Sequence, residues 1–469
     1  MSSFRPMLLL ALIASAPAVA GEVTVQDLAR RLQALEQRLG ESPPPAAAGS
    51  FDPAALDQRL RILERKLELQ AEADEARTRS TPVVALDRAK GLSVKSPESE
   101  LEVKFRGLVQ GDGRFYLGDS AGTADTLLMR RIEPTVEGSW GPLLGFRMTA
   151  QLAGDSASVS DAYVDVKFDP RATLRIGKAK MPIGLERLQS SASTNQVETG
   201  LPSELIPNRD IGVQLQGQFK GPGLSYAVGV FNGAVDGRDG ATTNPDDDFE
   251  LAGRVFLEPW KGGDGALSGL GFGIGASSGR TRGSGNAFLP RYRSPGQVQF
   301  FGYRGDVAAD GERVRWSPQA SYYRDRFGLL GEYVVSRQQL ASSSSGVRAT
   351  FDHRAWQLSG GVVLTGEAAS YRGVLPGHPF TLGEAGWGAL ELTARYGRLD
   401  IDDDVFPLFA DPADAASAAR SWGLGLNWYL TDNLKLVANY DHTTFDGGAP
   451  GNLDREDEQA FFTRAQFSF

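Results

Sequence analysis

The chain has 469 residues, among them 56 glycines, three histidines and no cysteine, and its net charge is −9. The absence of cysteine excludes a disulfide framework, a thiolate metal site and a catalytic thiol. Three histidines leave little scope for imidazole-based metal or acid–base chemistry, and the negative charge argues against an extended basic surface for nucleic acid. We therefore expect a protein that is not an enzyme, carries no metal or other cofactor and does not bind nucleic acid.

The N-terminus has the layout of a targeting segment. Arg5 precedes an apolar run over residues 7–16, and the small residues Ala-Val-Ala follow at 18–20. This order predicts a signal peptide over residues 1–20, cleaved on export. The apolar run is too short to cross about 30 Å of hydrocarbon, and no other stretch of the chain is long and apolar enough to do so. The mature protein is therefore expected to lack a transmembrane helix.

The next segment has a helical period. Leucines recur at spacings of four, three and four residues in two stretches, 28–39 and 56–67, which is typical of a coiled-coil seam. Three prolines at 43–45 separate the stretches, because a helix interior does not tolerate them. We predict a coiled-coil-like helical segment over 21–79 that self-associates, followed by a linker over 80–100. A lone amphipathic helix packed on another part of the protein is the alternative.

From residue 101 the period changes to two. Segments of about ten residues alternate apolar and polar side chains, as at 162–168 and 422–430, and each predicts a strand with one apolar face. The predicted strands cover 102–116, 127–140, 143–153, 159–168, 172–180, 210–220, 224–233, 248–259, 268–279, 313–324, 328–340, 351–365, 386–401, 419–430, 434–445 and 457–469.

The connections between these strands favour a membrane barrel over a soluble β-sandwich. Short turns alternate with longer polar stretches along the chain, which is the pattern of a transmembrane antiparallel barrel. The exception is 366–385, a long connection where a short one is due. We assign 296–304 to a loop, because an even number of strands keeps both termini on one side. The prediction is an all-β protein, a 16-stranded antiparallel transmembrane β-barrel over 101–469, preceded by a short helical extension.

The C-terminal strand supports this interpretation. Phe461, Ala465, Phe467 and Phe469 share one face, and Phe469 is the last residue of the chain. A terminal strand that ends in phenylalanine is typical of proteins assembled into the bacterial outer membrane. A soluble protein would rarely leave such a strand exposed, because apolar edges aggregate.

Three motifs resemble those of a known family. They read DAYVD at 161–165, LRIGKAKMPIGLE at 174–186 and NRDIGVQL at 208–215, and the earlier run MRR at 129–131 adds to them. The chain from about residue 101 onward resembles the phosphate-selective porin O and P family. The resemblance implies a trimeric, 16-stranded outer-membrane porin that passes small anions. It also implies that the third loop, 181–209 here, folds into the pore and narrows it.

Basic residues on the lumen side of the strands are the candidate pore lining. Charge at the narrow part of a channel sets its selectivity, and arginine suits oxyanions because its planar fork donates paired hydrogen bonds. The predicted anion-binding residues are Arg131, Arg147, Arg175, Lys178, Lys180, Arg187, Arg209 and Arg254. Two of them, Lys178 and Lys180, face lipid if the alternation continues, so only a bulge or a place at the membrane interface brings them to the constriction. An ordinary lumen cation paired with a carboxylate is the alternative for each.

The charge of the third loop argues against a dedicated phosphate site. Between Pro182 and Asn208 the only basic residue is Arg187, and three glutamates oppose it, which gives a formal net charge of −2. A general diffusion porin, or a porin for another small anion, therefore stays open. The expected partners are small anions or other small hydrophilic solutes, outer-membrane lipid and further copies in a homotrimer. A structural outer-membrane tether and a soluble β-rich exported protein are the rival hypotheses.

Overall fold

The computed structural model describes residues 30, 33–34, 53–87, 91–98, 100–118, 123–221 and 223–469. The predicted signal peptide and nearly all of the first leucine stretch lie outside the described residues. The chain divides into two compact units, residues 1–81 and 82–469.

In the first unit a helix, α1, runs over Pro53–Ser80 and contains the second leucine stretch. Leu60 and Leu63 on this helix are buried, whereas Ile62 and Leu69 are about half exposed. Among the described residues no helix is both long enough and apolar enough to span a membrane.

The second unit begins with a hairpin where the sequence predicted a linker. Its strands, Val83–Asp87 and Gly91–Lys95, pair antiparallel with each other. The second of them also pairs with the first strand of the barrel, Leu92 lying opposite Phe105. Prolines and glycine around this segment indicated a linker, but valine and leucine within it favour a strand wherever a neighbouring edge is free to pair.

Sixteen strands form one closed antiparallel sheet, as predicted. They are β1 Leu101–Tyr116, β2 Thr126–Trp140, β3 Leu144–Gln151, β4 Ser158–Asp169, β5 Ala172–Lys180, β6 Arg209–Phe219, β7 Leu224–Phe231, β8 Glu250–Leu257, β9 Leu270–Arg282, β10 Val307–Arg324, β11 Phe327–Ser342, β12 Arg348–Val363, β13 Ala389–Asp400, β14 Ala416–Tyr429, β15 Leu434–Ala449 and β16 Glu458–Ser468. Each strand pairs with its neighbour in sequence, and β16 pairs with β1, which closes the barrel.

The side chains alternate between the two faces of this wall. On β14, Trp422, Leu424 and Leu426 are 40–52% exposed on the outer face, whereas Ser421 and Asn427 are buried inside. An apolar outer face and a polar inner face are what a bilayer outside and water inside require. One end of the barrel carries mostly tight turns, such as 170–171 and 325–326, and we call it the short-turn end; the other is the long-loop end.

Loops from the long-loop end fill one side of the barrel. They form an apolar cluster with the inner wall, and its members include Tyr292, Phe300, Phe301, Val405 and Phe409. Two short strands in this region, Arg291–Arg293 and Gln299–Gly302, pair only with each other, so the segment around 296–304 lies outside the barrel sheet as predicted.

A buried ion network lies beside this cluster. Arg315 on β10 contacts Glu250 at 2.6 Å and Asp236 of the loop after β7, and Arg313 contacts Glu250 at 2.7 Å. All four side chains are almost fully buried. These arginines therefore face inward but are sealed from the open lumen.

Candidate pore and its lining

The connection between β5 and β6, residues 181–208, is the constriction loop. It contains a short helix, α2 at Leu185–Leu188, and a 3-10 turn at Leu201–Leu205. Backbone groups of the loop hydrogen-bond to polar side chains on the inner faces of seven strands, β1, β10, β11 and β13–β16. The strand residues in these bonds are Gln110, Gln319, Glu332, Arg395, Asn427, Lys435, Asn439 and Gln466. The loop is therefore laid against one side of the inner wall.

The unusually long connection at the short-turn end, residues 364–388, also enters the barrel; we call it the 364–388 insert. Tyr371 donates its hydroxyl to the Leu185 carbonyl, and its own carbonyl accepts from Gln189 at 2.9 Å. Ser193 of the constriction loop donates to the Arg372 carbonyl at 2.7 Å. Burial raises the pKa of the Tyr371 hydroxyl well above its usual value, so it remains a donor. The insert thus supports the constriction loop from the short-turn end.

An open lumen of about 620 Å³ remains on the other side, between the constriction loop and strands β2–β8. Its polar wall carries a row of amides from β6, Gln214, Gln216 and Gln218, and a tyrosine from each of β4 and β7. The open lumen thus lies along β2–β8, away from most of the strands to which the constriction loop is bonded.

The structure brings most of the predicted basic residues to this passage. Arg147, Arg175, Lys180, Arg209 and Arg254 line the open lumen. A second, nearly enclosed space of about 60 Å³ next to the constriction loop shares Lys180 and Arg209 with it and adds Arg131 and Arg187. Seven of the eight candidates are thus grouped around the constriction loop.

Lys178 is the one candidate that lies apart. It is two residues beyond Ile176, which is 47% exposed on the outer face of β5, and it stands opposite Ile211 of β6. It lines neither space. Lys180 has the same parity, but as the last residue of the strand it turns inward and donates to the Gln189 carbonyl of the constriction loop. The alternation therefore holds for Lys178 and ends at Lys180.

One inward-facing arginine, Arg130, is not among the lining residues predicted from the sequence. The pairing of β1 with β2 shifts between Gln110 and Gly111, so that Arg131 lies opposite Gln110 but Met129 lies opposite Gly111. Arg130 is the extra residue of this β-bulge, and bulges re-aim side chains. Arg130 and Arg131 consequently both point inward. Two successive charged residues in an otherwise alternating strand were the available signal.

The lining cations differ in how they are neutralised. Three are paired with carboxylates: Arg147 with Glu137 at 3.1 Å, Arg175 with Asp165 at 2.8 Å and Arg209 with Asp161 at 2.9 Å.

The other lining cations have weaker partners. Arg131 lies 3.6 Å from Glu133. Arg254 donates to the Gln319 amide at 2.8 Å, and Lys180 and Arg187 donate to backbone carbonyls. Among the described residues, Lys180, Arg187 and Arg254 have no carboxylate within 4 Å. Uncompensated positive charge therefore comes from Lys180 and Arg254 in the open lumen and from Arg187 in the small enclosed space.

The glutamates of the constriction loop bind the protein itself. Glu198 accepts hydrogen bonds from Arg114 at 2.7 Å and Arg130 at 2.6 Å, and Arg464 lies at 3.9 Å. Burial alone would raise the pKa of the Glu198 carboxyl, but these three guanidinium groups together hold it well below its usual range. Glu198 therefore stays charged and holds the loop on the wall.

The two remaining loop glutamates have similar anchoring contacts. Glu186 accepts from the backbone N–H of Gly200 at 2.9 Å and from the Gln357 amide at 2.8 Å. Glu204 accepts from the backbone N–H of Arg293 at 3.0 Å. The formal charge of −2 that the sequence shows for this loop consequently overstates the negative charge offered to a solute.

The fold and this lining define a class of protein: a membrane β-barrel with an aqueous passage narrowed by an inward-folded loop. The family model for "Phosphate-selective porin O and P" matches residues 103–469, and the chain belongs to this family. It is thus a porin of the outer membrane, and family and fold are those of a channel rather than an enzyme.

The chain is also similar to individual proteins. Porin O of Pseudomonas aeruginosa is 25% identical over 416 residues, which cover 81% of this chain and 91% of that protein. An uncharacterized protein of Caulobacter vibrioides is also 25% identical, over 346 residues that cover 70% of this chain but only 65% of the relative. The crystal structure of the outer membrane channel DcaP of Acinetobacter baumannii is similar in fold, with a TM-score of 0.50 at 13% identity, covering 80% of this chain and 99% of that one.

Proposed function

We propose that this porin passes small anions, phosphate among them, in preference to cations. The observation that carries the proposal is the charge of the open lumen. Five basic residues line it. Arg147, Arg175 and Arg209 are paired with carboxylates, whereas Lys180 and Arg254 contact neutral acceptors and leave the lumen with unpaired positive charge. Charges along a narrow aqueous passage between low-dielectric walls attract ions of the opposite sign and repel those of the same sign.

The positions of the basic residues support a path for the anion. Lys180 and Arg209 line both the open lumen and the small enclosed space beside the constriction loop. An oxyanion at their level would meet guanidinium and ammonium donors without displacing a carboxylate from Lys180. Arg254 lies farther along the same lumen, on β8, so that a second donor follows the first.

The test is the zero-current potential of the purified full chain in a planar bilayer under a KCl gradient. We expect a potential with the sign of the chloride equilibrium potential. Phosphate added to chloride-conducting channels should then reduce the current if phosphate occupies the same path. A potential with the potassium sign would overturn anion preference while leaving the porin assignment intact.

We also propose that the barrel assembles as a homotrimer through the outer face of β1, β15 and β16. Small residues make this face concave, and they line an apolar groove of about 740 Å³ together with leucines and Trp428. The small residues are Gly111, Gly113, Ala438, Thr463 and Ala465. Small side chains let two barrel walls approach closely, which favours a protein neighbour over loosely packed lipid chains.

A further inference from the structure

Strands β10–β15 carry an aromatic belt on their outer face. It has one residue per strand: Trp316, Tyr333, Trp356, Tyr396, Trp422 and Tyr440. The rings meet in neighbouring pairs, with centroids 5.5–5.6 Å apart for Trp316–Tyr333, Trp356–Tyr396 and Trp422–Tyr440. Aromatic girdles of this kind mark the level at which the hydrocarbon of a bilayer gives way to headgroups.

The hydrocarbon lies on the short-turn side of this belt. On β14 the outer face continues from Trp422 through Leu424 and Leu426 to Trp428, near the short-turn end. The six residue steps from Trp422 to Trp428 span about 20 Å along the tilted strand, so the apolar outer face of β14 crosses much of the apolar band of an outer-membrane barrel. The headgroups of the external leaflet therefore lie on the long-loop side of the belt.

At that level three neighbouring strands present arginines outward; we call them the arginine band, Arg354, Arg398 and Arg420. Arg398 lies directly opposite both Trp356 on β12 and Arg420 on β14. Arg354 is two residues from Trp356, on the same face and toward the long-loop end. The band thus follows the belt closely on β12–β14.

The arginine band has more positive charge than its carboxylates neutralise. Asp446 lies between two of the arginines, 2.7 Å from Arg420 and 3.7 Å from Arg398, and Asp400 contacts Arg398 at 2.5 Å. Arg354 is exposed and, in the described part of the chain, has no carboxylate within 4 Å. Asp352, two residues from Arg354 on the same face, is paired with Arg337 at 2.6 Å. Among the described residues, Arg354 is therefore the arginine of the band without an ion pair, next to two arginines that share Asp446.

We propose that the arginine band docks the phosphate groups of a phosphorylated glycolipid of the outer leaflet, whose acyl chains lie along the belt and the leucines beyond it. Guanidinium groups bind phosphate through paired, charge-assisted hydrogen bonds. A multiply charged headgroup would neutralise Arg354, and its further phosphate oxygens could reach the exposed N–H groups of Arg398 and Arg420. Basic residues at headgroup level attract anionic lipids in this way.

The probe is lipid A with two phosphates, titrated onto the detergent-solubilised full chain and followed by native mass spectrometry. We expect the wild-type chain to retain this lipid and the variant Arg354→Gln/Arg398→Gln/Arg420→Gln to bind it roughly 100-fold more weakly. Lipid A without phosphates should bind the wild-type chain as weakly. Arg171→Gln is the matched control, because Arg171 is an exposed, carboxylate-paired arginine at the opposite end of the barrel.

A single variant covers the case in which the triple variant does not fold. Arg354→Gln breaks no ion pair, and we expect it alone to weaken lipid A binding by roughly fivefold. Equal binding of lipid A by the folded variants and the wild-type chain would overturn the proposal. The proposal would also be overturned if the variants lost a second copy of the chain but no lipid. Displacement of the lipid by inorganic phosphate at equal concentration would overturn it as well.

Discussion

At the scale of single residues, selectivity depends on which charges remain available to a solute. The charge of Arg175 is largely neutralised, because its guanidinium group pairs bidentately with Asp165 and stacks 3.8 Å above the Tyr163 ring. Lys180 and Arg254 illustrate the opposite, because each donates to a neutral acceptor and neither has a carboxylate partner in the part of the chain that the structure describes. Removing either of these two leaves no carboxylate unpaired, which makes them the cleanest sites for a test.

We expect Lys180→Gln/Arg254→Gln to remove the two cations of the open lumen that have no carboxylate partner among the described residues. The zero-current potential under a KCl gradient should therefore fall well below the wild-type value, because selectivity follows the lining charge. Arg171→Gln, outside the lumen, should leave the potential unchanged. An unaltered potential in the double variant would show that other groups select the ion.

The low pKa of Glu198 gives the anchoring of the constriction loop a defined pH dependence. A carboxyl whose pKa is lower in the folded state adds stability above its unfolded pKa of about 4.3, and this is lost as pH falls through the folded value. We therefore expect chemical unfolding to show no loss from this group between pH 7 and pH 5, and a loss only under more acidic conditions.

The variant Glu198→Gln isolates this contribution. It leaves buried guanidinium groups without their shared carboxylate, so the free energy of unfolding should fall by about 3–5 kcal/mol at pH 7. Its remaining acid dependence should be smaller than that of the wild-type chain. A variant as stable as the wild type at pH 7 would mean that the loop does not depend on Glu198.

At the scale of elements, two connections from opposite ends of the barrel meet in the lumen. The constriction loop is bonded to seven strands, and the 364–388 insert adds three hydrogen bonds to it through Tyr371 and Arg372. The insert also packs Ala369 and Val374 into a small cluster with the inner wall. It therefore both narrows the short-turn end and limits movement of the constriction loop.

Replacing residues 368–385 by a tight turn should raise single-channel conductance. The three lost hydrogen bonds weaken the hold on the constriction loop by about 1.5–4.5 kcal/mol in total, and the lumen gains the volume that the insert occupied. Bilayer recordings test this directly. Tyr371→Phe, which removes one of the three bonds, should give a smaller increase, and unchanged conductance in both variants would place the insert outside the conducting path.

At the scale of the whole molecule, the outer wall has two different sides. Strands β12–β14 carry the arginine band and the central part of the aromatic belt, as a surface facing lipid would. The groove lies over β1, β15 and β16, and Leu426 and Trp428 of β14 form part of its lining. We assign the outer face of β12 and β13 to lipid and the groove to contacts between copies, with β14 at their border.

Paired tryptophan substitutions distinguish the two sides. Ala465→Trp fills the groove and should lower the fraction of trimer measured by light scattering in detergent. Ala394→Trp, at an equally exposed outward position on β13, should leave the trimer intact. If the two variants behave alike, the groove is not the contact between copies.

Much of the fold could be predicted from the sequence. A bilayer outside and water inside require apolar and polar side chains to alternate along each strand, and this alternation is visible within each short stretch of sequence. The sixteen strands and the inward positions of Arg131, Arg147, Arg175 and Arg254 follow from that period, and the inward loop from the family motifs. Lys180 and Arg209, paired with each other at the ends of β5 and β6, line the lumen against the period. The hairpin at 83–95 could not be predicted in this way, since it forms only because the edge of β1 is free beyond the end of β16.

The charge of the pore required the tertiary structure. Glu198 is neutralised by Arg114, 84 residues away, and Arg464 is itself held by Asp112, 352 residues away in sequence. The bulge that turns Arg130 inward depends on the pairing of β1 with β2. A sequence pattern shows which side chains face the lumen, but closure of the barrel decides which of them meet. Only then is it determined which charges hold the fold and which remain for the solute.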